Sequence, residues 1–406
     1  MQSQIRPVDE RELARVLAEA TNSRTPLAVA GAGSKRDVGR PVQAAAVIST
    51  GSLRGTTLYE PSEMVFAARA GTPLRQIEAD LAANGQMLAF EPVDLGPMLG
   101  QEAGMATLGG VLAANLSGAR RISAGAARDH LLGVRAVNGR GEIFKSGGRV
   151  MKNVTGYDIA RGLSGSWGTL AVVTEVTFKV QPLPETSATL LLVDLPDEIA
   201  IEVLSAAMGS PFEVSGAVHV QAPLVSRLWH EGLSSLGRSV TAIRIENFAR
   251  SVAYRAGRLR EDLRIYGEVH ELEDESSRAF WEELRQLSPL QGGTDPVWRI
   301  STAPSAAPKV AAAIANYMGG HAIFDWSGGL IWMEVTATAD AGAADVRRVI
   351  ATHGGHATLI RADAATRAAV EVFQPLEAGV AALSQRLKSA FDPAGILNPG
   401  RMYPAF

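Results

Sequence analysis

A chain of 406 residues is too long for one ordinary domain and suits two or three. Its net charge of -3 argues against nucleic acid or an anionic membrane surface as a partner. With no cysteine, the chain can form no disulfide, thiolate nucleophile, or Cys-ligated zinc or iron–sulfur cluster.

A hydrophobic share of 46% with 20% charged residues fits a well-packed soluble protein, and the 41 glycines cluster in loops between apolar runs. The first residues, Met1-Gln2-Ser3-Gln4-Ile5-Arg6-Pro7, lack a basic stretch followed by an apolar core, so no signal peptide is expected. No apolar run reaches the ~20 residues that span a bilayer. No transmembrane segment is expected, and the expected location is cytoplasmic.

In chain order, Asp9 and Glu12 form a capping-box-like pair ahead of a helix with Leu13, Val16, Leu17 and Ala20 on one face. A short apolar strand over residues 27–30 runs directly into Gly31-Ala32-Gly33-Ser34-Lys35, and Val47-Ile48 reads as the next buried strand. That order places the glycine loop at the carboxyl end of a strand, where phosphates are often bound. The loop is neither of the two common phosphate motifs. Gly31-x-Gly33 continues into Arg36 with no helical pattern, and Lys35 lacks P-loop spacing. It is either a backbone cradle for a pyrophosphate or a plain turn.

Strands are expected around residues 57–60 and 64–70, then a helix with Thr72 as N-cap, Pro73 at its first position and Leu74, Ile77 and Leu81 inward. Residues 87–90 read as a strand. The stretch from Thr107 to Gly118 follows, with Leu108, Val111, Leu112 and Asn115 at helical spacing and Thr107 as a possible N-cap. Gly109 and Gly110 sit in its first turn, where each costs ~1 kcal/mol against alanine. Either an anionic ligand drawn close to bare backbone or tight packing through small residues must compensate.

Residues 131–137 and 142–145 flank Asn138-Gly139-Arg140-Gly141 as a hairpin. Lys152-Asn153-Val154-Thr155-Gly156-Tyr157-Asp158 leads into a short helix. Gly165-Ser166-Trp167-Gly168-Thr169-Leu170 then feeds a strand in which Val176, Phe178 and Val180 alternate with polar residues. Pro182 and Pro184 mark a domain boundary.

Beyond it, strands at 190–193, 214–220, 240–246, 297–301, 322–325, 330–335 and 358–360 alternate with helical patterns at 198–208, 279–287 and 346–352. This is an α+β domain, a sheet with helices on one face. A helix over 376–391 ends in Phe391-Asp392-Pro393-Ala394-Gly395-Ile396-Leu397-Asn398-Pro399-Gly400-Arg401.

Six of these segments, taken in order, resemble a known family. They are Gly31 to Lys35, Thr107 to Gly118, Arg128-Asp129-His130-Leu131-Leu132-Gly133, Lys152 to Asp158, Gly165 to Val173 and the tail from Phe391 to Arg401. Together they resemble the FAD-linked oxidases of the vanillyl-alcohol oxidase type, and within them the FAD-binding E subunits of bacterial glycolate oxidase. The resemblance implies an α+β fold. An FAD-binding domain would span 1–184, as subdomains of about 1–52 and 53–184; a smaller α+β cap would span 185–390, and a returning tail 391–406.

It also implies FAD with its pyrophosphate held by backbone N–H groups. Gly31, Ala32, Gly33, Ser34 and Lys35 would line one side, and Thr107, Leu108, Gly109, Gly110, Asn115 and Ser117 the other. Gly168, Thr169 and Val172 would lie near adenine or ribose, and Asn398 near the isoalloxazine. No His follows Gly33 in its loop and no Cys exists, so the FAD is expected to be non-covalent.

The implied reaction is oxidation of a small 2-hydroxy acid, glycolate, to glyoxylate. The implied partners are a catalytic FAD-linked subunit and an iron–sulfur subunit, the latter necessary for any cluster because this chain has no cysteine. The catalytic homologue carries a His-x-Gly-Asp-Gly-Asn-x-His motif, whereas the corresponding region here, His321 to Leu330, has one His and a Trp326-Ser327-Gly328-Gly329 turn. No catalytic residue is assigned. His353 and His356 are expected at a helix end rather than on a metal, Trp326 and Trp332 in the core, and Arg120-Arg121 as a solvated pair. Two alternatives stand beside this reading: a structural or electron-relay subunit, and an independent flavin oxidase of another hydroxy acid, lactone or alditol.

Overall fold

A computed structural model describes residues 3–149 and 157–404, and the chain divides into two compact units. The first comprises residues 1–117, 125–183 and 375–406; the second comprises 118–124 and 184–374. The helix Ala378–Phe391, expected in the second domain, therefore falls with the first unit, and the short segment 118–124 falls with the second.

The first unit holds two sheets. Ser3–Ile5, Ala46–Ser49 and Leu27–Ala30 form a parallel three-stranded sheet with Ala46–Ser49 in the middle. Thr56–Glu60, Val65–Arg69, Ala171–Lys179, Leu131–Asn138 and Ile143–Gly147 form an antiparallel five-stranded sheet in that order. The helix Glu10–Ser23 starts where the sequence places it. Asp9 accepts from Glu12 N–H, and Glu12 accepts in return from Val8 N–H. Its Leu13 and Leu17 are fully buried in a cluster that also takes Leu27, Ile48, Val172 and Leu397.

Two expected boundaries move. The second helix starts at Leu74 with Pro73 as its cap. Thr72 instead donates to Arg69 O and accepts from Gly55 N–H, pinning the turn before the helix. The strand expected over 87–90 shrinks to Gln86–Met87, paired with Gln181–Pro182, because Leu88, Ala89 and Phe90 bury as irregular core. The turn at Asn138 forms as expected, its side-chain oxygen accepting from Arg140 and Glu142 N–H. The motif Lys152 to Gly156 lies outside the described residues; the helix after it runs Ile159–Leu163.

The second unit is built on one eight-stranded sheet. Its order is His270–Glu273, Thr186–Val193, Val240–Asn247, Gly216–Val220, His321–Asp325, Leu330–Glu334, Val297–Ser301 and His356–Arg361, with every neighbouring pair antiparallel among the described residues. The expected strands all form. Two helices absent from the sequence reading, Ala249–Leu263 and Ala307–Met318, also form.

Candidate functional site

The first unit brings the glycine loop, the Thr107 helix, the Gly165–Leu170 turn and the tail together. The loop sits at the carboxyl end of Leu27–Ala30. A methyl carbon added at Gly31 would overlap Thr107 Oγ1, so the loop and the helix start lie in direct contact. At Gly168, where φ is +71°, such a carbon would lie 2.9 Å from Asn398 Nδ2 and 3.4 Å from Val29 Cβ. Only glycine meets both that backbone angle and that closeness at low cost.

Asn398 explains how the tail is fastened. Its side chain accepts from Val29 N–H at 2.8 Å and donates to Trp167 O at 2.8 Å, and its own N–H donates to Leu27 O. Lys388, one helix earlier, donates to Thr169 O, Leu397 O and the Asp392 carboxylate, all within 3.0 Å. Arg401 donates to Lys35 O at 2.8 Å and stacks on Trp167. These residues hold the turn and the loop in register. Arg401 closes the tail motif, whereas Lys388 carries no motif signal, since a lysine on a helix ordinarily reads as solvated.

The polar groups left over define the site. None of the five backbone N–H groups from Gly31 to Lys35 finds an acceptor among the described residues. Ser34 and Lys35 are nonetheless buried, and Lys35 Nζ has no hydrogen-bond partner. Burial lowers the Lys35 pKa, Asp94 opposes the shift and Arg401 adds to it. Asp94 itself accepts from Gly96 and Gly104 N–H. Ala32 is exposed and Gly31 and Gly33 are half-buried, so their N–H groups stay open to solvent, whereas the buried, unpaired Lys35 ammonium is costly unless an anion completes it.

The Thr107 helix, Leu108–Ala114, adds one more. Leu108 N–H donates to Thr72 O, Gly109 N–H to Ala70 O and Val111 N–H to Thr107 O. Gly110 N–H has no acceptor among the described residues. The two glycines also differ in surroundings. A methyl carbon at Gly109 would lie 2.8 Å from Ala70 Cβ, whereas at Gly110 it would meet only Thr107 Oγ1, at 3.3 Å. Gly109 serves packing, and Gly110 leaves its space and its N–H open.

Of the other expected residues, Asn115, Ser117, Thr169 and Val172 are committed within the protein. Thr107 is extended at the helix start and makes no side-chain cap. Asn115 caps the helix end at φ +49° and accepts from Arg128 N–H. Ser117 accepts from Ala127 N–H, Thr169 donates to Ser166 O, and Val172 is fully buried core. His130, the sole histidine of this unit, is buried with its ring 5.4 Å from that of Phe90.

The residues present fit an anionic, phosphate-bearing cofactor, and similarity to known proteins names it. Residues 2–147 match the FAD binding domain. Over 386 residues, 95% of each chain, the sequence is 36% identical to glycolate oxidase subunit GlcE of Escherichia coli (strain K12). The chain belongs to the GlcE family. It is 29% identical to glycolate oxidase subunit GlcD of Bacillus subtilis (strain 168), over 46% of this chain and 38% of that one. p-Cresol methylhydroxylase shares the fold across 98% of this chain and 88% of its own, at a TM-score of 0.74 and 15% identity. Alkyldihydroxyacetonephosphate synthase does so at a TM-score of 0.69 and 16% identity, across 98% of this chain and 75% of its own. This GlcE-family chain therefore has the vanillyl-alcohol oxidase type of fold and is an FAD-linked oxidoreductase-family protein.

In the second unit, Arg120 and Arg121 are not the solvated pair the sequence suggests. Arg120 holds the Glu246 carboxylate with two hydrogen bonds, of 2.8 and 3.0 Å. Burial pushes Glu246 up, but Arg244 and Arg120 outweigh it and hold its pKa at about 2. Arg121 stacks on Trp326 at 4.2 Å. Trp326 and Trp332 are buried as expected and also serve as shelves for arginines. His353 ends the helix Ala343–His353, and the described residues hold no metal-binding group of three or more His, Cys, Asp or Glu.

Proposed function

We propose that this chain is the FAD-carrying E subunit of a glycolate oxidase assembly, oxidising glycolate to glyoxylate and passing electrons to a catalytic FAD-linked subunit and an iron–sulfur subunit. The observation that carries the reading is the row of unpaired N–H groups from Gly31 to Lys35 beside the buried, unpaired Lys35 ammonium. These groups receive the FAD pyrophosphate. Thr107, Leu108, Gly109, Gly110, Asn115 and Ser117 form the facing wall, with Gly110 N–H as its donor. Gly168, Thr169 and Val172 flank the adenine and ribose, and Asn398 fixes the tail beside the isoalloxazine.

With no cysteine anywhere and a single, core-packed histidine in this unit, the FAD is held non-covalently. When bound, it supplies a two-electron acceptor for the alcohol carbon of a 2-hydroxy acid, which leaves as a 2-oxo acid with loss of two electrons and two protons. The names of the E. coli and B. subtilis relatives support both the substrate and the multi-subunit setting. No helix among the described residues is long and apolar enough to cross a membrane. Such a chain works in the cytoplasm, against the membrane through its partners.

A relay role is the second reading, favoured by the lack of a paired-histidine motif at His321–Asp325 and the turn after it. Anaerobic glycolate added to the purified chain separates the two. Bleaching of the flavin band by the chain alone supports turnover here, and bleaching only after a partner subunit is added supports relay. No bleaching in either case refutes the glycolate reading.

A further inference from the structure

The helix Ala378–Phe391 has 14 residues, and Lys388 is its only buried side chain. Its large aliphatic residues face water instead: Val380 is 50% exposed, Leu383 59% and Leu387 41%. At about 100° of rotation per residue these three fall within about 60° of one another. They form the stripe that an amphipathic helix ordinarily turns toward a core. The helix is held at its carboxyl end, by Lys388 and by Phe391, whose ring meets that of Phe144 at 5.7 Å. A helix this short is marginal by itself in water, and its stripe lacks the burial that ordinarily stabilises one.

The charge beside the stripe is one-sided. Ala378–Phe391 contains no Asp or Glu. Arg386 borders the stripe, exposed and without a hydrogen bond or ion pair among the described residues. A second copy of the helix does not match it. Antiparallel self-pairing that sets Val380 on the copy's Leu387 sets Arg386 on the copy's Ala381, and parallel self-pairing sets Arg386 on Arg386. The stripe therefore fits a different chain, one with an apolar groove and a carboxylate at its rim.

The helix also runs into the wall of the cofactor site. Lys388 donates to Thr169 O and Leu397 O. Asp392, next after the helix, accepts from Ile396 and Leu397 N–H and so ties it to the tail that carries Asn398. A partner seated on the stripe is joined to that wall by a short segment anchored through buried hydrogen bonds. With no cysteine in this chain, an iron–sulfur carrier for the electrons sits on another chain.

We infer that Val380, Leu383 and Leu387 form the docking face for an iron–sulfur electron-transfer subunit, which takes the helix in an apolar groove whose acidic rim meets Arg386. The nature of that partner rests on the proposed function. The docking face rests on this helix alone.

Binding of the full-length, FAD-loaded chain to the purified iron–sulfur subunit of glycolate oxidase from the same source tests it, read by interferometry. The catalytic FAD-linked subunit is the rival partner. Wild type binds the iron–sulfur subunit without the FAD-linked one present. Leu383→Glu weakens that binding at least about tenfold. Arg386→Glu slows association and Arg386→Lys does not, because a rim charge steers encounter. Ile265→Glu, at a residue 82% exposed in the second unit, changes nothing. FAD content and thermal midpoint of Leu383→Glu stay at wild-type values, since the fold leaves that side chain in water. Binding of the iron–sulfur subunit to Leu383→Glu at wild-type strength overturns the inference, as does its failure to bind the wild type. Binding to the FAD-linked subunit alone, or self-association, that Leu383→Glu abolishes would also overturn it, by giving the stripe another occupant. A Leu383-dependent complex whose flavin glycolate does not bleach supports the docking face and refutes the glycolate reading.

Discussion

Gly109 and Gly110 stand side by side in one helical turn and answer to different constraints, which substitution separates. At Gly109 an added methyl carbon lies 2.8 Å from Ala70 Cβ and 3.1 Å from Ala70 O. Overpacking of that kind costs about 1–3 kcal/mol. The gain of alanine over glycine in a helix, up to about 1 kcal/mol, does not recover it. Gly109→Ala therefore lowers the stability of the FAD-free protein. At Gly110 the same carbon meets only Thr107 Oγ1, at 3.3 Å, so most of the helix gain survives. For a unit of this size the FAD-free Gly110→Ala protein should melt roughly 2–4 °C higher per kcal/mol gained. FAD affinity moves the opposite way. A side chain at Gly110 fills the space beside an N–H that has no acceptor in the chain, and Gly110→Val should abolish FAD retention. Calorimetry on FAD-stripped protein reads the first effect and FAD fluorescence quenching the second. If Gly110→Ala destabilises the stripped protein as Gly109→Ala does, or if Gly110→Val keeps FAD at the wild-type level, the division of roles is wrong.

Three further outcomes follow from buried charges. Lys35→Met should weaken FAD binding at least about tenfold while leaving the FAD-free protein equally or more stable at pH 7. The Lys35 pKa is lowered by burial, so its charged form costs stability, and that cost disappears as pH rises through the lowered value toward 10.5; urea unfolding at two pH values reads this, and a destabilised FAD-free variant would contradict it. Glu246, at about 2 in the fold against 4.5, contributes about 3 kcal/mol above pH 4.5 that is lost as pH falls toward 2. The stability gap between wild type and Glu246→Gln should therefore narrow from pH 7 to pH 3, and a constant gap would argue against the ion-pair account. Lys388→Met strands the buried Asp392 carboxylate and frees the tail, at a cost of about 3–5 kcal/mol. Thermal unfolding and protease sensitivity around residues 392–404 check it, and an unchanged midpoint would speak against the tail as a fastening.

Much of the first unit was legible because its signals are local. Asp9 with Glu12 announced a capped helix, and Asn138 announced a turn whose side chain closes it. The glycine loop and the Thr107 stretch could be singled out, but their contact joins residues far apart in sequence, and nothing local encodes it. The sequence left open whether Gly109 and Gly110 serve packing or a ligand. The structure commits Gly109 to packing against Ala70 and leaves the space and the N–H at Gly110 open. The helix Ala249–Leu263 escaped because its inward face mixes the buried Arg255 with Val252, Ala256, Leu259 and Leu263, and Gly257 interrupts the run. Ala307–Met318 escaped because its alanines blur the contrast between faces. Arg120 and Arg121 read as solvated because burial of a charge depends on partners such as Glu246 and Trp326, which arrive from a remote strand and a remote turn. Lys388 was hidden for the same reason.

A backbone cradle holding FAD without a covalent bond leaves the flavin extractable. The direct measurement is the absorption spectrum of the purified full-length chain, followed by acid precipitation and spectra of supernatant and pellet. A yellow protein carrying one FAD per chain, all of it released to the supernatant, is the predicted result. A colourless protein that stays so after incubation with FAD, or flavin that remains with the pellet, would contradict it.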